Sequence, residues 1–263
     1  MLVAGVDAGS NTTKIILMEE DQILSRGIIK TGAKSLDAVK DLLQHILEQQ
    51  HKKIEDMGGI VATGYGRNYI PFATFQATEI FCHAKGVFRT MPQVRTIIDI
   101  GGQDSKVIYL DNNGRVADFV MNDKCAAGTG RFIESLAMAL SVPLEEMGTL
   151  SVSVEKEITI SSTCTVFAES EVVSYVAQGF PKSDIISGVH HALAGRVVSM
   201  ARRREIRPEL CMTGGVAKNI GVVRWIEKEL GESVEIPEEP QLTGAIGAAM
   251  IALERAHQQG VRY

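Results

Sequence analysis

Short apolar runs bounded by turn residues alternate along the chain with longer segments whose apolar positions recur at helical spacing. The first pattern predicts buried strands and the second predicts amphipathic helices. The predicted strands are Val3–Val6, Ile15–Met18, Ile23–Ile29, Ile60–Ala62, Arg95–Ile100, Lys106–Leu110, Val116–Met121, Glu157–Ser161, Leu210–Thr213 and Val234–Ile236. The predicted helices are Ser35–Gln50 (with Ser35 as N-cap), Glu79–Arg89, Thr129–Leu140, Val166–Gln178, Ser183–Arg203, Asn219–Leu230 and Thr243–His257. Hairpins mixed with strand–helix alternation predict an α/β fold with mixed sheets.

The strand–turn–strand pattern at the beginning of the chain occurs a second time. Asp7 aligns with Asp99 and Lys14 with Lys106 at a shift of 92 residues, and both copies follow D-x-G-x-x-x-[ST]-K-[IV]-I. An internal repeat of this kind predicts two similar lobes. We expect residues 1–94 to form the first lobe, completed by the C-terminal helix 244–263, and residues 95–243 to form the second.

A turn that carries Asp and then Gly between two strands suits a metal–phosphate ligand. Glycine lets the backbone approach the phosphates, N–H and hydroxyl groups bind their oxygens, and the carboxylate holds hydrated Mg²⁺. One such turn is usually an ordinary β-turn, but a duplicated pair favours a nucleotide held from both sides. The chain has no Walker A sequence, and no third glycine follows Gly128 and Gly130, so neither a P-loop nor a dinucleotide fold is indicated.

Composition excludes several classes of protein. The chain has 263 residues, of which 45% are hydrophobic and 22% charged, as in ordinary globular proteins. A formal charge of −5 argues against nucleic-acid binding. The longest stretch of low polarity, Gly244–Leu253, is too short for a membrane span, and the sequence after Met1 is unlike a signal peptide. The four cysteines contain no C-x-x-C pair, so we expect a cytoplasmic protein in a reducing compartment.

Two of the cysteines precede predicted helices: Cys125 before a glycine-rich start and Cys164 within a Ser/Thr run. Helix N-termini lower the pKa of a thiol and favour anionic ligands. One chain cannot complete a four-sulfur site with two thiolates, but two chains related by a two-fold axis can. The residues alone leave open that both are small buried hydrophobes, whereas zinc usually brings closer spacing or histidines. Cys82, Cys211 and His190-His191 are interpreted as structural.

Taken together, these segments resemble the actin, Hsp70 and sugar-kinase superfamily. Asp7–Lys14 and Asp99–Lys106 resemble its two phosphate segments, Thr213–Val216 its adenosine segment, and Ala127–Phe132 and Gly244–Ala248 its connecting segments. The resemblance implies two duplicated RNase H-like lobes around a nucleotide cleft that binds ATP or ADP with Mg²⁺.

The same resemblance implies roles for individual residues. Asp7 and Asp99 would hold Mg²⁺, and Gln103 or Asp104 would position the attacking water. The residues expected at the nucleotide are Asp7, Gly9, Ser10, Asn11, Thr12, Thr13, Lys14, Gly101, Gly102, Gln103, Gly214, Gly215, Val216 and Gly244.

Three further segments, Thr63–Arg67, Asn122–Phe132 and Ser161–Glu171, resemble the activators (component A) of 2-hydroxyacyl-CoA dehydratases, which are relatives of the benzoyl-CoA reductase ATPase subunits. The similarity runs from about Val3 to Ala252. It implies that Cys125 and Cys164 bind one [4Fe–4S] cluster that bridges a homodimer.

In this interpretation ATP hydrolysis drives one-electron transfer to an iron–sulfur dehydratase or reductase partner, with ferredoxin or flavodoxin as the electron donor. Two alternatives use the same scaffold: a sugar-type kinase, and a nucleotide-switched binding module without redox chemistry.

Overall fold

The computed structural model describes residues 1–152, 154, 156–161 and 164–260. The chain divides into two compact units. Unit 1 comprises Met1–Gln93, Leu110–Val116 and the chain from Gln241 onward, and unit 2 comprises Val94–Tyr109 and Ala117–Pro240. No helix in the described ranges is both long enough and apolar enough to cross a membrane.

Both units combine a mixed sheet with helices. The strands are β1 (Leu2–Ala8), β2 (Thr12–Glu19), β3 (Gln22–Lys30), β4 (Met57–Thr63), β5 (Phe75–Gln76), β6 (Thr96–Ile100), β7 (Ser105–Leu110), β8 (Val116–Asn122), β9 (Leu210–Thr213) and β10 (Val234–Glu235). The α-helices are α1 (Ser35–Gln49), α2 (Glu79–Thr90), α3 (Gly130–Leu140), α4 (Met147–Leu150), α5 (Thr165–Ala177), α6 (Lys182–Ala201), α7 (Ile220–Leu230) and α8 (Thr243–Gly260).

The sheet of unit 1 has the strand order β3-β2-β1-β4-β5. β2 lies antiparallel to β1, and β4 lies parallel to it. Because side chains alternate along a strand, β1 contributes to two cores: Val3 packs with the apolar face of α8, and Ala4 packs with that of α1. Gly5 lets the α8 backbone approach the sheet directly, since a Cβ there would lie 2.1 Å from the Ala245 carbonyl oxygen.

The sheet of unit 2 repeats this topology with the order β10-β9-β6-β7-β8. Its central strand β6 lies antiparallel to β7 and parallel to β9, as β1 does to β2 and β4. One continuous core, which includes Phe132, Leu136 and Val189, packs α3 and α6 with this sheet. The predicted α/β class with two similar lobes is confirmed.

One predicted strand is wrong. Glu157–Ser161 pairs with no strand in the part of the chain that the structure describes, although Ile158 and Ile160 are buried as its alternation predicts. Its backbone polar groups bond to helical side chains instead: the Ser161 N–H donates to Glu171 Oε2 at 2.6 Å, and the Thr159 carbonyl accepts from the Tyr175 hydroxyl at 3.2 Å. The alternation of buried and exposed residues in this segment therefore results from packing against helices and not from pairing in a sheet.

The remaining differences are local. Ser35 is the first residue of α1 and not its N-cap, which is Lys34 and makes no side-chain capping bond. A Cβ on Gly66 would lie 2.7 Å from the Ser35 hydroxyl oxygen, so this side chain packs against the loop after β4. The two-residue strand β5 and the one-turn helix α4 were not predicted, because such short elements contain too few residues to show a periodic pattern.

Candidate functional site

The first Asp–Gly turn, residues 7–14, connects β1 and β2. Asp7 faces Lys14 across the antiparallel pair, and Lys14 Nζ lies 3.0 Å from Asp7 Oδ2. Only 5% of Asp7 is exposed, so the ion pair is largely shielded from water. Gly9, Ser10 and Asn11 lie between the strands and reach solvent. The turn thus presents backbone and small polar groups beside a buried carboxylate.

Thr13 lies inside this turn rather than on its surface. Its hydroxyl is 3.0 Å from that of Thr31, and Thr31 Oγ1 donates to the Gly9 carbonyl at 2.8 Å. Since the Thr31 proton is used on Gly9, Thr13 donates to Thr31. The Thr13 side chain therefore fixes the turn, while Ser10 and Thr12 remain partly accessible.

The second Asp–Gly turn, residues 99–106, is more heavily charged. Lys106 is 2% exposed, and its Nζ lies 3.3 Å from Asp99 Oδ2 and 2.7 Å from Asp104 Oδ2. Thr213 Oγ1 donates to Asp99 Oδ1 at 2.8 Å. A buried ammonium group between two carboxylates leaves a net negative charge at the turn, which suits a hydrated divalent cation.

The structure separates the two candidates for positioning water. Asp104 is held in the ion pair with Lys106, and its backbone carbonyl accepts from the Gly101 N–H at 2.9 Å. The Gln103 side chain is exposed at the tip of the same turn. Gln103 is therefore available to a ligand, whereas Asp104 maintains the turn.

A Thr-Gly loop accompanies each turn, and the two loops are structural equivalents that the sequence alone did not reveal. Thr63 in β4 pairs in register with Asp7, and Thr213 in β9 pairs with Asp99. The glycine that follows has a φ of +88° at Gly64 and +85° at Gly214. A Cβ on Gly64 would lie 2.6 Å from Asp7 Oδ1. The signal in the sequence was a Thr-Gly pair directly after an apolar strand.

Gly244 joins the residues around the first turn. It lies in the first turn of α8, where a Cβ would be 3.4 Å from Asp7 Oδ2 and 3.1 Å from His83 Nε2. The predicted nucleotide residues therefore form two groups. Unit 1 supplies Asp7, Gly9, Ser10, Asn11, Thr12, Thr13, Lys14 and Gly244, and unit 2 supplies Asp99, Gly101, Gly102, Gln103, Asp104, Gly214, Gly215 and Val216.

The four free cysteines fall into two classes. Cys82 and Cys211 are fully buried, and burial raises the pKa of each thiol to about 12, which keeps both protonated. Cys125 and Cys164 are partly exposed, and both belong to unit 2. Ser162 of the predicted Ser/Thr run lies outside the described residues, as does its neighbour at position 163.

Both accessible cysteines lie at the beginning of helical segments. Cys125 is the N-cap of the 3-10 turn Ala126–Gly128, and Cys164 is the N-cap of α5. Asn122 Nδ2 donates to the Cys125 carbonyl at 2.8 Å and fixes that peptide. The helices that follow, α3 and α5, pack against each other.

Two backbone hydrogen bonds join the second Asp–Gly turn to the cysteine segment. The Gly130 N–H donates to the Gly101 carbonyl at 2.8 Å, and the Arg131 N–H donates to the Gly102 carbonyl at 3.0 Å. The first N–H groups of α3 are thus satisfied by the turn itself. The turn is therefore linked directly to the N-terminus of α3, whose first residue follows Cys125 by five positions.

A family model described as the BadF/BadG/BcrA/BcrD ATPase family matches residues 4–252. The chain belongs to this family. It is 43% identical over 259 residues to the 2-hydroxyisocaproyl-CoA dehydratase activator of Clostridioides difficile, covering 98% of this chain and 97% of the relative. It is 44% identical over 254 residues to the (R)-2-hydroxyglutaryl-CoA dehydratase activating ATPase of Acidaminococcus fermentans, covering 96% and 97%.

A solved structure shows the same likeness. The activator of the 2-hydroxyisocaproyl-CoA dehydratase from Clostridium difficile with bound ADPNP superimposes with a TM-score of 0.94 at 41% identity, covering 100% of this chain and 98% of that one. The resemblance to the dehydratase activators inferred from the motifs is confirmed, as is membership of an ATPase family.

Proposed function

We propose that this ATPase activates a 2-hydroxyacyl-CoA dehydratase-type or benzoyl-CoA reductase-like partner enzyme by ATP-dependent transfer of one electron. In this proposal two copies of the chain share one [4Fe–4S] cluster, held by Cys125 and Cys164 of each copy. The observation that carries the proposal is the pair of accessible thiols at helix starts in unit 2, in a chain similar over its length to named activators.

The chemistry of these thiols fits a cluster. Both side chains reach the surface, and each cysteine is the N-cap of a helical segment, a position that favours anionic ligands. Within the described part of the chain, no three or more His, Cys, Asp or Glu side chains come together to hold a metal ion. Two thiols per chain match a four-cysteine site completed by a second copy. When bound, such a cluster supplies a one-electron couple whose potential depends on exposure and hydrogen bonding.

An apolar surface around α5 supports the homodimer. α5 buries only Ala168 and Val172, and it exposes more apolar side chains than a solvated helix normally does. The exposed apolar residues of α3 and α5 are Met138, Val166, Phe167, Val173 and Val176. A two-fold contact through this surface would remove them from water next to Cys164.

We assign the nucleotide chemistry to the two Asp–Gly turns. The carboxylates of Asp7 and Asp99 are hard oxygen donors beside glycine turns, which fits Mg²⁺ with its bound water. Lys14 and Lys106 already neutralise part of this charge, so each lysine would share its carboxylate with the ion. Gln103, exposed at the tip of the second turn, is our choice for orienting the attacking water.

The hydrogen bonds from α3 to Gly101 and Gly102 give a route from nucleotide to thiol. A γ-phosphate that draws the second Asp–Gly turn toward it also draws the N-terminus of α3, and with it the Cys125 segment. ATP and ADP would therefore favour different positions of the thiol. Four free cysteines agree with a reducing, cytoplasmic location. The electron donor that we propose is ferredoxin or flavodoxin.

The decisive experiment is anaerobic purification followed by iron and sulfide analysis per dimer. We expect about four irons and four sulfides per dimer in the wild type, as a shared [4Fe–4S] cluster requires. Cys125→Ser and Cys164→Ser should each lose the metal. Cys211→Ala is the matched control, because that thiol is buried and protonated, and it should retain the metal.

The activator role is tested with the same proteins and a purified 2-hydroxyacyl-CoA dehydratase. Wild type should activate the dehydratase only with ATP and a low-potential reductant, and neither serine variant should do so. Iron-free protein after anaerobic reconstitution, or full activation by the serine variants, would refute the redox proposal. Phosphorylation of a sugar by iron-free protein would favour a kinase.

A further inference from the structure

The loop after β4, residues 64–69, packs directly onto the first Asp–Gly turn. The Gly66 N–H donates to the Ala8 carbonyl at 2.8 Å. Gly64 has a φ of +88°, and a Cβ there would lie 2.6 Å from both Asp7 Oδ1 and the Ala8 carbonyl oxygen. The loop backbone therefore contacts the carboxylate and the turn at the same time.

Arg67 is the charged residue of this loop. Its Nη1 donates to the Gly64 carbonyl at 3.1 Å, so the guanidinium folds back toward the glycine that contacts Asp7. Its charge lowers the pKa of the buried Cys82 thiol, whereas that of Asp7 raises it. The side chain is partly buried.

Most N–H donors of the Arg67 guanidinium are not used in hydrogen bonds to the described residues. Arginine carries five N–H donors, and in the described ranges the one to Gly64 is the one hydrogen bond that the Arg67 side chain makes. Asp7 already has an ammonium partner in Lys14, so Arg67 is not needed to neutralise it. A partly buried guanidinium without a carboxylate partner is suited to an anion that arrives from outside.

The equivalent loop of unit 2 differs at this position. Gly64 corresponds to Gly214, and three residues further on Arg67 corresponds to Ala217. The loop of unit 2 has no charge at this position, and its lysine, Lys218, comes one residue later. Where the loop of unit 1 carries a guanidinium, that of unit 2 carries a methyl group, so only the unit 1 loop offers a cation at this position.

We propose that Arg67 binds the terminal phosphate of a nucleoside triphosphate and that the loop 64–69 thereby distinguishes ATP from ADP. The inference rests on the proposed function, since it places a further contact at the same nucleotide site. ATP would engage the free guanidinium donors and stiffen the loop against Asp7. ADP, which lacks that phosphate, would leave Arg67 on the Gly64 carbonyl alone.

The test compares the affinities of the anaerobically purified full chain for ADPNP and for ADP, measured by calorimetry with Mg²⁺. For Arg67→Gln we expect ADPNP binding to weaken roughly 10–100-fold, the usual range for losing a charge-assisted hydrogen bond to phosphate, and ADP binding to change less than about twofold. Arg67→Lys keeps the charge and should recover part of the ADPNP affinity. Arg89→Gln, which removes a surface partner of Asp21 in the same unit, should leave both affinities unchanged.

The ratio of the two affinities separates phosphate binding from a purely structural role. If Arg67 only holds the loop, Arg67→Gln will weaken ADPNP and ADP equally and lower Tm without nucleotide, and the inference is refuted. Unchanged affinities for both nucleotides in the variant would refute it as well. A wild-type protein that binds neither nucleotide would instead remove the proposed function itself.

Discussion

At the scale of single residues, the two Asp–Gly turns depend on buried ion pairs. Lys106 is almost fully buried between Asp99 and Asp104, while Lys14 serves Asp7 in a slightly more open site. Removing one member of a buried pair leaves an uncompensated charge, which typically costs about 3–5 kcal/mol. These ion pairs therefore link the two strands at each of the turns to which we assign the nucleotide.

The two Thr-Gly loops allow a prediction about glycine. Gly64 and Gly214 combine positive φ with backbone atoms where a Cβ would lie, at 2.6 Å and 2.3 Å respectively. We expect Gly64→Ala and Gly214→Ala each to lower the free energy of unfolding by about 3 kcal/mol, from left-handed strain plus overpacking. Urea titration of the purified variants measures the loss.

Gly32 and Gly231 are the matched controls for these variants. They also have positive φ, but nothing lies within 4 Å of a Cβ at either position. Gly32→Ala and Gly231→Ala should therefore lose only the strain energy, about 1 kcal/mol. Equal losses at all four positions would show that the close approach to Asp7 and Asp99 contributes nothing.

The exposed position of Gln103 leads to a second residue-scale prediction. Gln103→Ala should reduce the rate of ATP hydrolysis at least about tenfold, since orientation of the attacking water is lost. Nucleotide affinity and Tm should stay near wild-type values, because the side chain is exposed at the tip of the turn. Steady-state phosphate release and calorimetry check both statements. Asp104→Asn is the comparison, and it should lower stability through Lys106.

At the scale of elements, the sequence predicts those strands and helices whose apolar residues recur at a regular spacing. The hairpins, the central strands β1 and β6, and the long helices all lie within a few residues of their predicted bounds. The segment 157–161 shows the limit, because alternating burial on the helices α5 and α6 has the same pattern as a strand. The Ser35 N-cap prediction failed because the neighbouring loop, distant in sequence, packs against that hydroxyl.

A buried polar network connects three helices of unit 2. Asn219 Nδ2 donates to His190 Nε2 at 3.1 Å, so Nε2 is the acceptor and Nδ1–H donates to Ser151 Oγ at 3.0 Å. Asn219 also caps α7 through its Oδ1. Desolvation lowers the pKa of His190 to about 3, so the ring is neutral in the folded protein. The network links α6 to the beginning of α7 and the end of α4.

This histidine predicts a defined loss of stability in mild acid. The unfolded chain takes up a proton below about pH 6.5 and the folded chain only near 3, so stability is complete above 6.5 and falls as the pH drops. The slope is about 1.4 kcal/mol per pH unit, or about 2 kcal/mol between pH 6.5 and 5. His190→Gln should flatten this slope in urea titrations, although it is less stable at pH 7. His191→Gln, on the partly exposed neighbour, should keep the slope, and an unchanged slope in His190→Gln would contradict the assignment.

At the scale of the whole molecule, the sequence does not show which residues distant along the chain lie side by side in the fold. The repeat of Asp7 in Asp99 is visible in the residues, but the equivalence of Gly64 and Gly214 requires the parallel strands β4 and β9 to lie beside β1 and β6. The residues around them separate Cys125 and Cys164, which precede helices, from the structural Cys82 and Cys211, but the degree to which each thiol is exposed follows only from packing. Spacing along the chain distinguishes none of these cysteines.

The proposed homodimer leads to a final prediction, because an unpaired charge buried at the contact between two copies would destabilise the dimer. Val173 on α5 is 54% exposed and lies more than two turns beyond Cys164, so a change there reaches the thiol only through the dimer. We expect Val173→Glu to place two like charges at the two-fold contact, to yield a monomer of 28.5 kDa in anaerobic sedimentation, and to lose the iron as a result. Ile220→Glu alters an equally apolar side chain, 45% exposed, at the beginning of α7 and should remain an iron-containing dimer. A Val173→Glu protein that sediments as a dimer with its iron would place the shared surface elsewhere, and an iron-containing monomer would show that one chain binds the metal alone.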